Sequence, residues 1–202
     1  MTFTFVLKDR RVMIDHHYRA IFIHQRKVAG MAVARAWGFK KHHVETLGNN
    51  FHRYNDGVLS WDWDKRTPLE RSYFVFSAVR NPFDRIISSW KFLESTRHRP
   101  LEEVLENPPR ETRDYEHFTR PQISILREPG AKDLVTNDLM RYETLQQDFD
   151  RICERIGRPR MLLQHVNTSE REPGYHQYFN ARSRKLAENL FAEDLEVFVY
   201  KF

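Results

Sequence analysis

The sequence has little of the chemistry on which several protein classes depend. Its single cysteine, Cys153, excludes a disulfide within the chain and leaves no cysteine cluster for a metal site. It contains no run of about 18 apolar residues, which predicts no membrane-spanning helix. The apolar segment 1–7 is too short for a secretory signal peptide, because charged residues follow it at once. We therefore expect a cytoplasmic protein, or an excised domain of a longer anchored one.

Internal repeats and low-complexity segments are also absent, and the composition is that of a folded chain. Hydrophobic residues make up 40% of the 202 residues and aromatic residues 13%, which is enough for a sizeable core. The formal net charge of +5 favours anionic partners, such as nucleic acid, a phosphate-bearing cofactor or an acidic polysaccharide. Because 28 acidic residues are interspersed with the 33 basic ones, the alternative is an ordinary solvated surface with no anionic partner.

Segments that favour strands alternate with segments that favour helices. Short apolar runs rich in β-forming residues predict strands at residues 20–23, 44–47, 73–79 and 139–142. Apolar residues at helical spacing predict helices at residues 33–37, 82–93, 145–156 and 183–192. The charged, proline-bearing segment 97–113 is interpreted as a surface excursion. The alternation predicts an α/β fold in one domain over residues 1–202, with a central, mainly parallel sheet flanked by helices.

The first strand-to-helix corner has the groups of an anion site. Residues 24–31 read H-Q-R-K-V-A-G-M and connect the strand at 20–23 to the next helix. Backbone N–H groups in such a loop point at a bound anion, Lys27 adds a positive charge, and Gly30 permits close approach of the backbone. The G-x-x-x-x-G-K-(S/T) spacing of an ATP-binding loop is absent. A plain connection with a solvated Arg26–Lys27 pair is the alternative for this motif alone.

The second corner repeats the arrangement. Residues 79–88 read V-R-N-P-F-D-R-I-I-S, and Pro82 stands where a helix begins. Arg80, at the end of the strand, is placed to clamp a phosphate with its guanidinium fork. Ser88, two turns along the helix, is placed to donate its hydroxyl to the same phosphate. The alternatives are a salt bridge from Arg80 to Asp84 and an ordinary helix-surface serine.

Together the two corners resemble those of the carbohydrate sulfotransferase family. In that family, F-I-H-x-P-K-T-A-G-T-S binds the 5′-phosphosulfate of the donor, and V-R-N-P-(F/Y/W)-(D/E)-R-(L/I)-(V/I)-S-x-(Y/W) binds the 3′-phosphate. Four further segments resemble family motifs in the same order, at residues 117–122, 142–149, 165–169 and 194–200. Motifs in this number and order are specific, whereas any one of them alone is not.

The resemblance implies the sulfotransferase fold and transfer of a sulfuryl group from 3′-phosphoadenosine-5′-phosphosulfate to a hydroxyl acceptor, a carbohydrate. Lys27 matches the lysine that stabilises charge on the bridging oxygen. The donor-binding positions that it implies are Arg26, Lys27, Val28, Ala29, Gly30, Met31, Arg80 and Ser88. The acceptor positions that it implies are His117, Arg120 and Gln122. We expect no nucleic-acid partner. We also expect no metal, because the adjacent histidine pairs at 16–17 and 42–43 would point apart on a strand and could not bind one ion together.

A general base is expected among the histidines between the two corners, where the family usually carries one. If residues 44–47 form a parallel strand, His42 and His43 enter at its amino end and His52 follows its carboxyl end. Reactions occur at the carboxyl ends of such strands, which favours His52 over His43. Residues 41–43 resemble a motif that carries the histidine in some relatives, so His43 stays a candidate. The alternative is that all three are surface histidines.

The first corner departs from the family pattern at several positions. Arg26 replaces its proline, Val28 its threonine, and Met31 and Ala32 its threonine–serine pair, so three hydroxyl groups are missing. Two alternatives to an active sulfotransferase therefore stay open. One is a catalytically degenerate protein of the same fold that binds a glycan or a nucleotide. The other is a small-molecule kinase, which the missing ATP-binding loop disfavours.

Overall fold

The structure is a computed structural model. The residues that it describes are 11–38, 42–43, 52–53, 59–60, 66–109, 115, 118–128, 130–164 and 174–202, with residues 11, 12, 42, 43, 52, 53, 59 and 60 described by their backbone alone. The chain divides into two compact units. Unit 1 comprises residues 1–25, 29–79 and 124–166, and unit 2 comprises residues 26–28, 80–123 and 167–202. That residues 1–202 act as one domain stays a prediction.

Unit 1 is built on a five-stranded sheet. The described strands of the chain are β1 (Arg11–Asp15), β2 (Ala20–His24), β3 (His42–His43), β4 (His52–Arg53), β5 (Leu59–Ser60), β6 (Phe74–Val79) and β7 (Asp138–Arg141). The sheet has the order β5-β1-β2-β6-β7, and β3 pairs with β4 separately. Strands β2, β6 and β7 run parallel, whereas β1 runs antiparallel to both β2 and β5. The α/β fold with a parallel central sheet is therefore confirmed, with an antiparallel edge added to it.

Among the described helices, the first, second, fifth and sixth lie close to the predicted positions, whereas the third, fourth and seventh were not predicted. The described helices are α1 (Gly30–Ala36), α2 (Pro82–Phe92), α3 (Leu101–Glu106), α4 (Ile123–Leu126), α5 (Leu145–Arg155), α6 (Ala181–Leu190) and α7 (Ala192–Val197). Short 3-10 turns lie at Glu70–Ser72, Tyr142–Thr144 and His176–Tyr178.

Aromatic rings fill the core of unit 1. The ring centroids of Phe22 in β2 and Phe76 in β6 lie 5.1 Å apart. Trp37, which follows α1, stacks on Phe76 at 5.2 Å and meets Phe149 of α5 edge-on at 5.9 Å. Strands β2 and β6 are buried over almost their whole length, as unbroken apolar runs predict for central parallel strands. This packing fixes the two strands that lead into the motif corners.

Unit 2 has its own core around α2. The side chain of Asn81 caps that helix by accepting a hydrogen bond of 3.0 Å from the backbone N–H of Phe83, and Pro82 occupies its first turn. The buried side chains packed together here include Phe83, Ile86, Ile87, Leu101, Val104, Leu105, Ala187 and Phe191. The interpretation of segment 97–113 as a surface excursion is wrong at α3. Its apolar residues fall at helical spacing and are buried.

Candidate active site

The carboxyl ends of β2 and β6 are tied together at one edge of the sheet in unit 1. The buried side-chain amide of Gln25 donates to the hydroxyl of Ser77 at 3.3 Å and to the carbonyl of Ala78 at 3.1 Å. The Ser77 hydroxyl in turn donates to the carbonyl of Ile23 at 2.7 Å. Because the two strands are parallel neighbours, both motif corners leave the sheet at this edge.

The first corner carries backbone strain. Lys27 has a φ of 64° and Ala29 a φ of 63°, so two residues with side chains adopt the left-handed conformation that favours glycine. Each costs on the order of 1 kcal/mol, and such residues cluster at functional sites. Ala29 is the N-cap of α1, and its carbonyl accepts from the N–H groups of Ala32 at 2.9 Å and Val33 at 3.3 Å. The strain falls on the lysine that the motif assigns to catalysis.

Gly30 is required for close packing in unit 1. A β-carbon at this position would overlap the imidazole ring of His24 at the end of β2. The sequence motif associates this glycine with close approach of the backbone to an anion. In the structure the close neighbour is the side chain of His24, so the absence of a β-carbon sets how tightly the corner folds back on its own strand.

Arg80 connects the two corners within unit 2. Its Nε donates to Asp84 Oδ2 at 2.7 Å, and its Nη2 forms an ion pair with the same oxygen at 2.6 Å. Its Nη1 donates to the backbone carbonyl of Lys27 at 3.0 Å. The salt bridge to Asp84 that the sequence left open as an alternative is therefore present. The same guanidinium also binds the backbone carbonyl of the strained Lys27 in the other corner, a contact that the sequence did not predict.

The backbone of Arg80 is fixed by a buried polar network. The Arg80 N–H donates to Gln122 Oε1, and Gln122 Nε2 donates to the Arg80 carbonyl, both at 2.9 Å. Asp194 of α7, which is fully buried, accepts from the backbone N–H groups of Gln122 and Ile123, both at 2.8 Å. Gln122 and Asp194 thus support Arg80 from behind, as a layer beneath the guanidinium.

The network includes one buried carboxylate, Asp194, and lies next to the buried guanidinium of Arg85. Burial raises the pKa of Asp194, while the positive charge of Arg85 and the hydrogen bonds from residues 122 and 123 oppose that rise. The pKa of Arg85 is lowered to about 10, mainly by burial and also by the nearby charge of Arg80, while the charge of Asp194 opposes this fall. The Arg85 Nη2 also donates to the carbonyl of Arg120 at 2.8 Å. Unit 2 therefore holds two arginines in its interior next to an aspartate.

One face of α2 presents three residues at helical spacing to the two corners. Asp84, Ser88 and Phe92 follow each other at intervals of four, so they share a face. Asp84 binds Arg80, and the ring centroid of Phe92 lies 3.9 Å from the Nζ of Lys27. Ser88, which is buried, lies between them along the helix. Lys27, Arg80 and Ser88, which the motifs picked out separately, therefore belong to one part of unit 2.

A model of the family described as "Sulfotransferase family" matches residues 10–201, nearly the whole chain. This chain belongs to the sulfotransferase family. Comparison with curated proteins and with solved structures gave no match. The family assignment supports sulfuryl transfer as the general activity, and it places both corners of this sulfotransferase inside the matched region.

The two histidine candidates of this sulfotransferase lie side by side. Strands β3 and β4 pair antiparallel, with His43 opposite His52 and His42 opposite Arg53. The strand predicted at residues 44–47 lies outside the described residues, but the two histidines are register partners and do not lie at opposite ends of one strand. The pairing across two short strands was not visible in the sequence, because residues 44–51 read as a strand and a turn. The strand-end argument therefore no longer separates the two histidines.

The segment predicted to bind the acceptor is described in part. His117 lies outside the described residues, and Arg120 and Gln122 are buried. The amide of Gln122 is bound to the backbone of Arg80, so its observed contacts are those of a support for the second corner. Contact of these three residues with an acceptor stays a prediction.

Two properties of the described part of this sulfotransferase bear on cofactor and membrane. No described helix is long and apolar enough to cross a membrane. Among the described residues, no group of three or more His, Cys, Asp or Glu side chains is placed to hold a metal ion. The cationic and hydroxyl groups of Lys27, Arg80 and Ser88 are instead donors suited to phosphate and sulfate oxygens.

Proposed function

We propose that this chain transfers the sulfuryl group of 3′-phosphoadenosine-5′-phosphosulfate to a hydroxyl group of a carbohydrate. The observation that carries the proposal is the hydrogen bond of 3.0 Å from Arg80 to the Lys27 carbonyl, because it joins the residues of the two donor motifs. Membership of the sulfotransferase family supports the reaction type. The identity of the donor, the carbohydrate acceptor and the cytoplasmic location are parts of this proposal.

The residues present fit such a donor, which carries two separate anionic groups. When bound, the donor supplies a sulfuryl group, and adenosine 3′,5′-bisphosphate is the leaving group that departs with the bridging oxygen. The ammonium of Lys27 stabilises the negative charge that grows on the bridging oxygen as the sulfur–oxygen bond to it breaks. A histidine takes the proton from the acceptor hydroxyl as its oxygen bonds to sulfur. The remaining loop positions, Arg26, Val28, Ala29, Gly30 and Met31, supply backbone groups and one further charge.

Arg80 and Ser88 are proposed to bind the 3′-phosphate. Arg80→Ala should weaken binding of adenosine 3′,5′-bisphosphate by about 1.5–3 kcal/mol, the range for a hydrogen bond to a charged group. Isothermal titration calorimetry on the folded variant measures this loss. Arg97→Ala is the matched control, because Arg97 is an exposed arginine of the same unit that pairs with Glu94.

Because Arg80 also holds the Lys27 carbonyl, a second variant separates the two tasks. Ser88→Ala removes a hydroxyl on the same helix face and leaves the Arg80–Lys27 bond in place, so it should also weaken binding of the bisphosphate. Unchanged affinity in both variants would remove the 3′-phosphate from this corner.

Lys27→Ala is the experiment that tests the proposed function. We expect kcat for transfer from the radiolabelled donor to fall about 10²–10³-fold, with a much smaller change in the KM for the donor, because Lys27 acts on charge that appears in the transition state. Lys91→Ala is the matched control, since Lys91 is a lysine at the end of α2 whose Nζ lies 4.1 Å from the ring centroid of Trp90.

The outcomes distinguish the proposal from its alternatives. A wild-type chain that binds adenosine 3′,5′-bisphosphate but transfers nothing to a panel of glycans is a degenerate binding protein. Transfer of phosphate from ATP to the same panel identifies a kinase. A rise in the donor KM with kcat unchanged in Lys27→Ala makes the lysine an anchor for the ground state only.

A further inference from the structure

Phe92, whose ring contacts the ammonium of Lys27, lies outside every motif of the sequence. Phe92 is the last residue of α2, and its side chain is exposed, although its ring lies 3.9 Å from the Lys27 ammonium, measured to the centroid. A cation within about 6 Å of a ring face is attracted by the negative potential of the π-electrons. Both residues belong to unit 2, and 64 residues of chain lie between them.

Lysine has a flexible four-carbon stem, so an unrestrained ammonium samples many positions. Lys27 is held at two points. Its carbonyl accepts from Arg80 Nη1 at 3.0 Å, and its ammonium lies against Phe92. The two partners sit at opposite ends of the α2 face described above, because Arg80 binds Asp84 at its first turn and Phe92 ends the helix. Lys27 is therefore held at its carbonyl by the arginine that binds the first turn of α2, and at its ammonium by the last residue of that helix.

We infer that Phe92 is a positioning residue for the reaction, holding the Lys27 ammonium in place before the donor arrives. The inference rests on the proposed function of Lys27. The ring offers no hydrogen bond to a phosphate, so its loss leaves donor binding largely intact. It frees the lysine, and the freed ammonium must be ordered again in each turnover. Removal of the Phe92 ring should therefore lower kcat and leave the KM for the donor almost unchanged.

The contact itself is tested by NMR on the whole chain. Reductive methylation with ¹³C-formaldehyde labels the lysines, and Lys27→Arg identifies the signal of residue 27. Methyl groups above a ring face are shifted upfield by its ring current. We expect such a shift in the wild type and in Phe92→Trp, and its loss in Phe92→Leu. A Lys27 signal at the same position in wild type and Phe92→Leu overturns the inference.

The functional part is tested by kinetics. Phe92→Leu should lower kcat roughly two- to fivefold with an unchanged donor KM, as expected for a solvent-exposed cation–π contact. Phe92→Trp should restore kcat, and fluorination of the Phe92 ring should lower it stepwise, because fluorine weakens the π-potential with little change of shape. Leu69→Ala is the control for an exposed apolar side chain, since Leu69 is 52% exposed against 51% for Phe92.

The inference and the proposed function fail in different ways. If Phe92→Leu matches the wild type in kcat, or if tryptophan fails to rescue while the fold is intact by circular dichroism, Phe92 is not a positioning residue. If the wild type shows the ring-current shift yet transfers no sulfuryl group, the proposed function fails and the Phe92–Lys27 contact stands as a feature of the loop alone.

Discussion

The variant in which both His43 and His52 are replaced by alanine is expected to lose about 10²–10⁴-fold in sulfuryl transfer, the contribution of a general base. Binding of adenosine 3′,5′-bisphosphate should stay at the wild-type level, because neither residue belongs to the corners that carry Lys27 and Arg80. The two histidines are register partners in β3 and β4, so their positions share one face of that small sheet.

This pairing predicts how the single variants behave. We expect the histidine that remains at the paired position to take over part of the proton transfer, so His43→Ala and His52→Ala alone should each lose less than the double variant. His17→Ala is the matched control, since His17 is an exposed histidine of the same unit, in the turn before β2. Full activity in the double variant would place the base elsewhere in the chain.

Asp194→Ala is expected to lower the free energy of unfolding by about 3–5 kcal/mol, the usual cost of removing one partner from a buried charged network. The substitution leaves the backbone N–H groups of Gln122 and Ile123 without their acceptor. It also leaves the guanidinium of Arg85 buried without the negative charge that opposes its desolvation. Urea denaturation followed by circular dichroism measures the loss.

Two further variants make the stability measurement decisive. Glu196→Ala changes an exposed acidic residue of the same helix and should stay within about 0.5 kcal/mol of the wild type. Asp194→Asn keeps one acceptor oxygen and should lose less than the alanine variant. An Asp194→Ala protein as stable as the Glu196→Ala protein would show that this network does not support unit 2.

The features that the sequence predicted well are those that depend on near neighbours. The strand at residues 20–23 and the helix start at Pro82 follow from runs and punctuation within a few residues, and both are present. Because parallel strands end at the same edge, the position of the two corners followed from the strands alone. The fold could therefore be predicted without coordinates, and the set of donor residues stays a prediction.

The features that the sequence did not predict depend on contacts between distant residues. Asp194 binds the N–H of Gln122 across 72 positions, and β3 pairs with β4 although residues 44–51 separate them in the sequence. The apolar face of α3 is only three residues wide and is surrounded by charged neighbours, which hid its burial. No local pattern distinguishes such residues from ordinary surface or helix positions.

The hydrogen bond from Arg80 to the Lys27 carbonyl has a thermodynamic consequence for the order of events. Whatever shifts the equilibrium position of the Arg80 guanidinium also changes the free energy of the Lys27 conformation, and the effect is equal in the other direction. With the donor bound as proposed, a contact of its 3′-phosphate with Arg80 also changes the free energy of the Lys27 conformation at the other end of the molecule. Binding energy gained far from the reacting bond can in this way be expressed as turnover, so a shortened donor would react more slowly as well as bind more weakly.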